Sequence, residues 1–234
     1  MGLCGLPSVD IAVYLGQILK NLQKKVLIAD LTGSNGLYDL LPASEKLPIT
    51  YKNVDYIGDR FHIYSSENDY YEYILVCLNQ DSRRLTGNRL SKMYYVTNTE
   101  YDNFKSMTLS VKNGKMISGV IVRDVTEGEI TVSYLLRCIF QDDYLMKMYR
   151  EHRIFEIHDD LTDREYRLKM QYGNFGEFKN LSPEFCSVLE RLSVEITGCE
   201  KNYVTKALKY AKEGKSIEKH YILGQQQGKK RDKR

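Results

Sequence analysis

The chain has 234 residues, 42% hydrophobic and 28% charged, with 4 Pro and 16 Gly, a composition that supports a full core and excludes a disordered or fibrous protein. No apolar run approaches the ~20 residues of a membrane-spanning helix, and MGLCGLPSVD lacks the basic flank and apolar stretch of a signal peptide, so a cytoplasmic protein is expected. The net charge of +3 divides unevenly: residues 1–199 hold 23 Lys+Arg against 27 Asp+Glu, and residues 200–234 hold 11 against 4. A mildly acidic body with a basic end suits contact with an anionic surface. Cys4, Cys77, Cys138, Cys186 and Cys199 show no C-x-x-C spacing, which points to buried thiols rather than a zinc site or disulfide framework.

In chain order, a short strand at 1–4 and a glycine-containing turn precede a helix from about Ser8 to Leu22. In that helix Ile11, Leu15, Ile18, Leu19 and Leu22 recur at helical spacing. KVLIADL at 25–31 is an almost unbroken apolar run, the texture of a strand covered on both faces. Similar runs at 73–78, 93–97 and 117–122, separated by helix-compatible stretches, predict an α/β fold with a mostly parallel sheet flanked by helices. Further strands are predicted at 154–157 and 165–170. A closing helix begins at Ser182 with Pro183 in its first turn and ends at Gly198. A basic helix follows at 201–212, with Tyr203, Val204, Ala207, Leu208 and Ala211 on one stripe and Lys201, Lys206, Lys209 and Lys212 around it. The polar end closes with Lys229, Lys230 and Arg231 in a basic run.

GLCGLPS at 2–8 leading to AVYLG at 12–16, then KVLIAD at 25–30 and YEYILVC at 71–77, resembles the opening of the ParA/MinD family of P-loop ATPases. That family runs K-G-G-x-G-K-T-T into a helix ending A-x-N-L-G, then K-V-L-L-I-D, then Y-D-Y-I-I-I-D. The resemblance implies a P-loop NTPase architecture over residues 1–199, with 200–234 as a basic helix and tail. Aligned on the helix, Gly2 and Gly5 match loop glycines, and Leu3 replaces the family's first lysine. Ser8 stands where the phosphate-gripping lysine belongs, Val9 where the magnesium-binding hydroxyl belongs, and Cys77 where the magnesium-orienting aspartate belongs. Asp30 keeps an acidic position. Among family members the pattern is nearest in kind to atypical pilus-assembly localisation proteins of the TadZ/CpaE type.

A P-loop works because backbone N–H groups and a lysine neutralise phosphates while a hydroxyl and a carboxylate place Mg²⁺. With these charges replaced, no cofactor and no hydrolysis are expected, ATP or ADP being what the resemblance would otherwise imply. Ser8 and Asp10 read as caps of the helix start. His152, His158, Asp159 and Asp160, like Asp142 and Asp143, read as surface polar groups. The basic helix reads either as docked on the domain or as a surface-binding element. The function expected is a non-catalytic localisation or assembly factor for a bacterial membrane-associated machine of the pilus or secretion type. Its contacts would be protein partners, an anionic membrane's inner face through the C-terminus, non-specific DNA, and a nucleotide-independent homodimer. An ATPase with an unorthodox site and a DNA-associated segregation accessory are the alternatives.

Overall fold

The computed structural model describes residues 1–33, 37, 41, 48–58, 69–79, 90–113, 117–172 and 178–215. Its elements are β1 (Gly2–Gly5), α1 (Val9–Asn21), β2 (Val26–Leu31), β3 (Ile49–Tyr51), β4 (Val54–Ile57), β5 (Tyr73–Leu78), β6 (Met93–Asn98), α2 (Tyr101–Asn113) and β7 (Gly119–Val125). There follow α3 (Val132–Tyr134), which widens into a π-turn at Leu135–Ile139, α4 (Asp143–Arg150), β8 (Ile154–His158), α5 (Leu161–Gln171), α6 (Pro183–Thr197) and α7 (Lys201–Lys212). The eight strands form one sheet in the order β3-β4-β2-β5-β1-β6-β7-β8, parallel except for the β3–β4 hairpin.

Because side chains alternate across a strand, the apolar runs feed two cores. Leu3, Ile28, Leu75, Cys77, Tyr94, Val96, Ile121 and Phe155 face the layer of α1, α6 and α7, whereas Cys4, Leu27, Ala29, Val76, Tyr95 and Val120 face the layer of α2 and α4. In the first layer Tyr14 lies between Phe178 and Phe185, with ring centroids 4.8 and 5.8 Å away.

The predicted strand at 165–170 is instead part of α5. Tyr166, Leu168 and Met170 alternate as a strand would, but Asp160 accepts hydrogen bonds from the Thr162 and Asp163 N–H groups and starts a helix ahead of them. Asp142 is likewise not a surface charge. It is 4% exposed, caps α4 through Leu145 N–H, and pairs with Lys112 at 3.2 Å. Asp160 is a cap, and Asp159 pairs with Arg164 at 2.6 Å. α6 begins and ends as predicted: Ser182 accepts from Phe185 N–H, and Gly198 closes the helix at φ +66°.

The connection order places β1 at the centre, with the chain crossing from β5 on one side of it to β6 on the other. In open parallel sheets the crevice at such a switch point, beyond the carboxyl ends of the strands, is where ligands bind. The loop after β1 lies there.

Candidate functional site

Between β1 and α1 lie only Leu6, Pro7 and Ser8. Gly5 has φ +106°, and a Cβ there would sit 2.3 Å from the Val96 carbonyl oxygen, so this turn requires glycine. Leu6 donates its N–H to that carbonyl at 2.9 Å, and Pro7 has no N–H to give. Two of the three loop positions therefore offer no donor to an anion. Gly2 and Leu3, aligned by sequence with loop positions, lie inside β1 instead. Leu3 is fully buried, in register with Cys77 on one side and Tyr94 on the other.

Ser8 occupies the N-cap of α1, yet its side chain caps no N–H group; it hydrogen-bonds the Cys77 thiol. Burial pushes that thiol's pKa well up, and the Asp30 and Asp10 carboxylates push the same way, so Cys77 is a neutral thiol. Asp30 accepts from Thr32 N–H at 3.0 Å, from the Thr32 hydroxyl at 2.6 Å and from Leu37 N–H at 3.2 Å. Its carboxylate thus organises its own loop.

Asp10, in the first turn of α1, is held by a residue 113 positions away. Arg123 Nη2 donates to Asp10 Oδ2 at 2.6 Å and Nη1 to Oδ1 at 3.1 Å, and Nη1 also reaches the Pro7 carbonyl at 3.1 Å. Each residue of this pair is 5% exposed. Burial raises the Asp10 pKa, but the Arg123 charge and hydrogen bonds outweigh it and hold the carboxyl below its ordinary 3.8.

Arg123 is aimed by a β-bulge. Val122 pairs with Glu156 and Val125 with His158, so Arg123 and Asp124 together face one residue of β8, and Asp124 takes φ +54°. The Asp124 carboxylate in turn holds Arg167 of α5 at 3.2 and 3.4 Å. Arg123 was legible in the sequence only as a charge closing the apolar run at 117–122, a signal that names no partner.

These residues do not fit a magnesium nucleotide. The phosphate position of a helix N-terminus is the one favoured by an anion, and here a carboxylate already stands in that first turn with its own cation. Val9 has no hydroxyl and Cys77 no charge to place a metal. At the C-terminal end, α7 buries Val204, Ala207, Leu208 and Ala211 in the core shared with α1 and α6. The segment 201–212 is thus docked, and its apolar stripe faces the protein interior. Lys201 pairs with Glu190 at 3.3 Å and Lys212 reaches Cys186 Sγ at 3.2 Å, while Lys206 and Lys209 are exposed. Lys229, Lys230 and Arg231 lie outside the described residues.

No protein-family model matches the chain. No curated protein matches it in sequence. Solved structures do match. One is a Borrelia burgdorferi B31 protein assigned to plasmid partition, bound to AMPPNP, at TM-score 0.54 and 13% identity, covering 85% of this chain and 98% of that one. Another is the MinC:MinD cell division complex of Aquifex aeolicus, at TM-score 0.51 and 13% identity, covering 93% and 97%. The central β1, the loop that follows it and α1 therefore belong to a sheet of ParA/MinD type, and the chain has the fold of the ParA/MinD P-loop ATPases.

Proposed function

We propose that the protein is a non-catalytic ParA/MinD-fold binding module, acting by protein contact as a localisation or assembly factor at a bacterial membrane-associated machine. The observation that supports this most is the buried Asp10–Arg123 pair at the start of α1. A phosphate arriving there would meet a carboxylate, and the arginine brought to the loop is already bound bidentately. Ser8, Val9 and Cys77 supply neither the cation nor the metal ligands that phosphoryl transfer needs.

The same fold carries a plasmid-partition protein and MinD in its complex with MinC, and a positioning role for this chain is in keeping with both. Among the described residues no helix is long and apolar enough to cross a membrane. Contact with an anionic surface would therefore be electrostatic, through Lys206, Lys209 and the basic run 229–234, each basic residue contributing on the order of 1 kcal/mol near an anionic bilayer.

Titration calorimetry of the full chain with ATP and Mg²⁺, alongside steady-state phosphate release, tests the proposal. No binding heat and background release are expected. Magnesium-dependent ATP binding, or release abolished by mutating 5–10, would overturn it in favour of an unorthodox ATPase.

A further inference from the structure

Beside the π-turn, large apolar side chains face solvent on two segments that touch. Tyr101 opens α2, and Ile130, Tyr134 and Ile139 flank or follow α3; they are 57%, 55%, 43% and 43% exposed. The Phe140 ring joins the segments, stacked 5.6 Å from Tyr101 and 5.3 Å from the buried Phe104. The π-turn closes five residues apart, Phe140 N–H to the Leu135 carbonyl, so Cys138 and Ile139 both follow Tyr134 by about one turn while Leu135 and Leu136 turn inward. β6 and β7 are parallel neighbours with Asn98 in register with Arg123. The loops that lead into α2 and α3 therefore leave the same, carboxyl, end of the sheet.

The charges around this patch narrow its occupant. With the Asp142–Lys112 pair set aside, residues 98–105 and 126–144 carry Glu100, Asp102, Glu127, Glu129 and Asp143 against Lys105 and Arg137, all exposed. No ion pair among the described residues involves any of the five acids. Lys105 lies over the Tyr101 ring, 5.7 Å from its centroid. An apolar patch with an acidic rim repels lipid phosphate and nucleic acid, and a second copy of itself would bring like charges together; it suits a segment both apolar and basic.

This chain supplies such a segment. Lys212, in the last turn of α7, reaches Cys186 in the first turn of α6, and α6 starts where Ser182 bonds Asp163, just past the carboxyl end of β8. The chain thus arrives at residue 215 on the same end of the sheet as the patch. Beyond it, outside the described residues, 216–234 carry Lys219, Lys229, Lys230, Arg231, Lys233 and Arg234 against Glu218 and Asp232, with Ile217, Tyr221, Ile222 and Leu223 ahead of the basic run. Those 19 residues span up to roughly 60 Å when extended, more than the ~45 Å across a compact domain of this length. Tethering also raises the local concentration of the segment to the order of millimolar.

We infer that the patch between α2 and the π-turn is the docking surface for the chain's own segment 217–234, apolar residues on apolar residues and basic run on acidic rim. An anionic surface then competes with the patch for the tail, a consequence that rests on the proposed function. The docking itself needs no membrane and no nucleotide.

Carbodiimide coupling of the full chain, as an equal mixture of ¹⁵N-labelled and unlabelled protein, tests this by peptide mass spectrometry. Lys229 or Lys230 is expected to join Glu100, Asp102, Glu127 or Glu129 within one isotopic species. Isotopically mixed links, links to carboxylates elsewhere, or none at all would overturn the inference. The Cys138 thiol, exposed on the patch, reports its covering separately. Alkylation of Cys138 by iodoacetamide should be about fivefold slower in wild type than after Lys229→Glu, Lys230→Glu and Arg231→Glu together, as for a surface covered about four-fifths of the time. That difference should vanish at 1 M salt, where charges are screened within about 3 Å. Glu127→Gln with Glu129→Gln should speed Cys138 alkylation in the same way and strengthen sedimentation with phosphatidylserine vesicles. Equal alkylation rates in all three proteins would overturn the docking. Rates that respond while no protein sediments with the vesicles would uphold the docking and remove the anionic-surface reading.

Discussion

The N-termini of α1 and α6 carry nearly the same local sequence and do opposite things with it. Leu6-Pro-Ser-Val-Asp10 and Leu181-Ser-Pro-Glu184 each bring a serine, a proline and an acid to a helix start. At α6 the outcome is local. Ser182 Oγ accepts from Phe185 N–H, while Asp163 accepts from Ser182 N–H at 2.7 Å and from its hydroxyl at 2.6 Å, closing a cap. At α1 the serine caps nothing, its hydroxyl turns to Cys77, and the acid pairs with Arg123 from β7. The two aspartates differ accordingly. Burial lifts Asp163 above its ordinary 3.8 despite the bonds from Ser182, whereas Arg123 overcomes burial and depresses Asp10. A helix start that departs from its own capping rule in favour of a contact 113 residues away is a local inconsistency of the kind found at functional or strained sites.

The largest effect is expected where that difference is greatest. Asp10→Ala or Arg123→Met alone strands a buried charge, which costs about 3–5 kcal/mol, while Asp10→Leu with Arg123→Met removes both charges and should recover most of the loss. Urea midpoints of the four proteins check this; a double variant as unstable as the sum of the singles would mean that the pair holds the fold rather than occupies the site. The pH dependence follows the depressed pKa. The Asp10 contribution is complete above the unfolded-state carboxylate range and disappears as pH falls through the lower folded value, so the stability gap between wild type and Asp10→Asn should narrow in acid. Asp163 carries the opposite sign: with its folded pKa raised, ionisation opposes folding, and the gap between wild type and Asp163→Asn should shift against the wild type as pH rises through the carboxylate range.

Next in size is Gly5→Ala. The positive φ and the 2.3 Å approach of a Cβ to the Val96 carbonyl should together cost about 2–4 kcal/mol, read as a lowered thermal midpoint. The loop at α1 is then rigid by backbone constraint, in contrast to α6, whose start has no such glycine. A thermal midpoint left at the wild-type value by Gly5→Ala would show that the loop has room to relax.

How much of this was legible in the sequence depended on whether the cause was local. Strands at 25–31, 73–78 and 93–97 were readable because burial on both faces leaves an unbroken apolar run, and α6 because its cap, proline and terminal glycine act within one turn. The strand predicted at 165–170 failed for a physical reason: α5 has two apolar faces, and their side chains at 166, 168 and 170 alternate as in a strand, while the deciding signal, the Asp160 cap, lies five residues earlier. The short β3–β4 hairpin left no run long enough to recognise. In the site, Ser8, Val9 and Cys77 were named from sequence, but Arg123 was not, since nothing near 123 states that a bulge with Asp124 at φ +54° will turn its guanidinium toward Asp10.

The smallest effect separates the two helix starts most directly. Ser182→Ala removes the hydroxyl that accepts from Phe185 N–H and donates to Asp163, leaving one buried donor and one buried carboxylate oxygen without that partner. Loss of an N-cap hydroxyl costs about 1 kcal/mol, with the range extending to about 2. Ser8→Ala removes a hydroxyl that caps no N–H group and bonds a neutral thiol, and sulfur is a weak partner, so the expected change is within about 0.5 kcal/mol. Measured side by side in urea, the ratio of the two losses reports whether α1 depends on its serine as α6 does. Equal losses would place a hidden cap at Ser8 and make the α1 start an ordinary helix terminus; a loss confined to Ser182 leaves the Asp10–Arg123 pair as what fixes the start of α1.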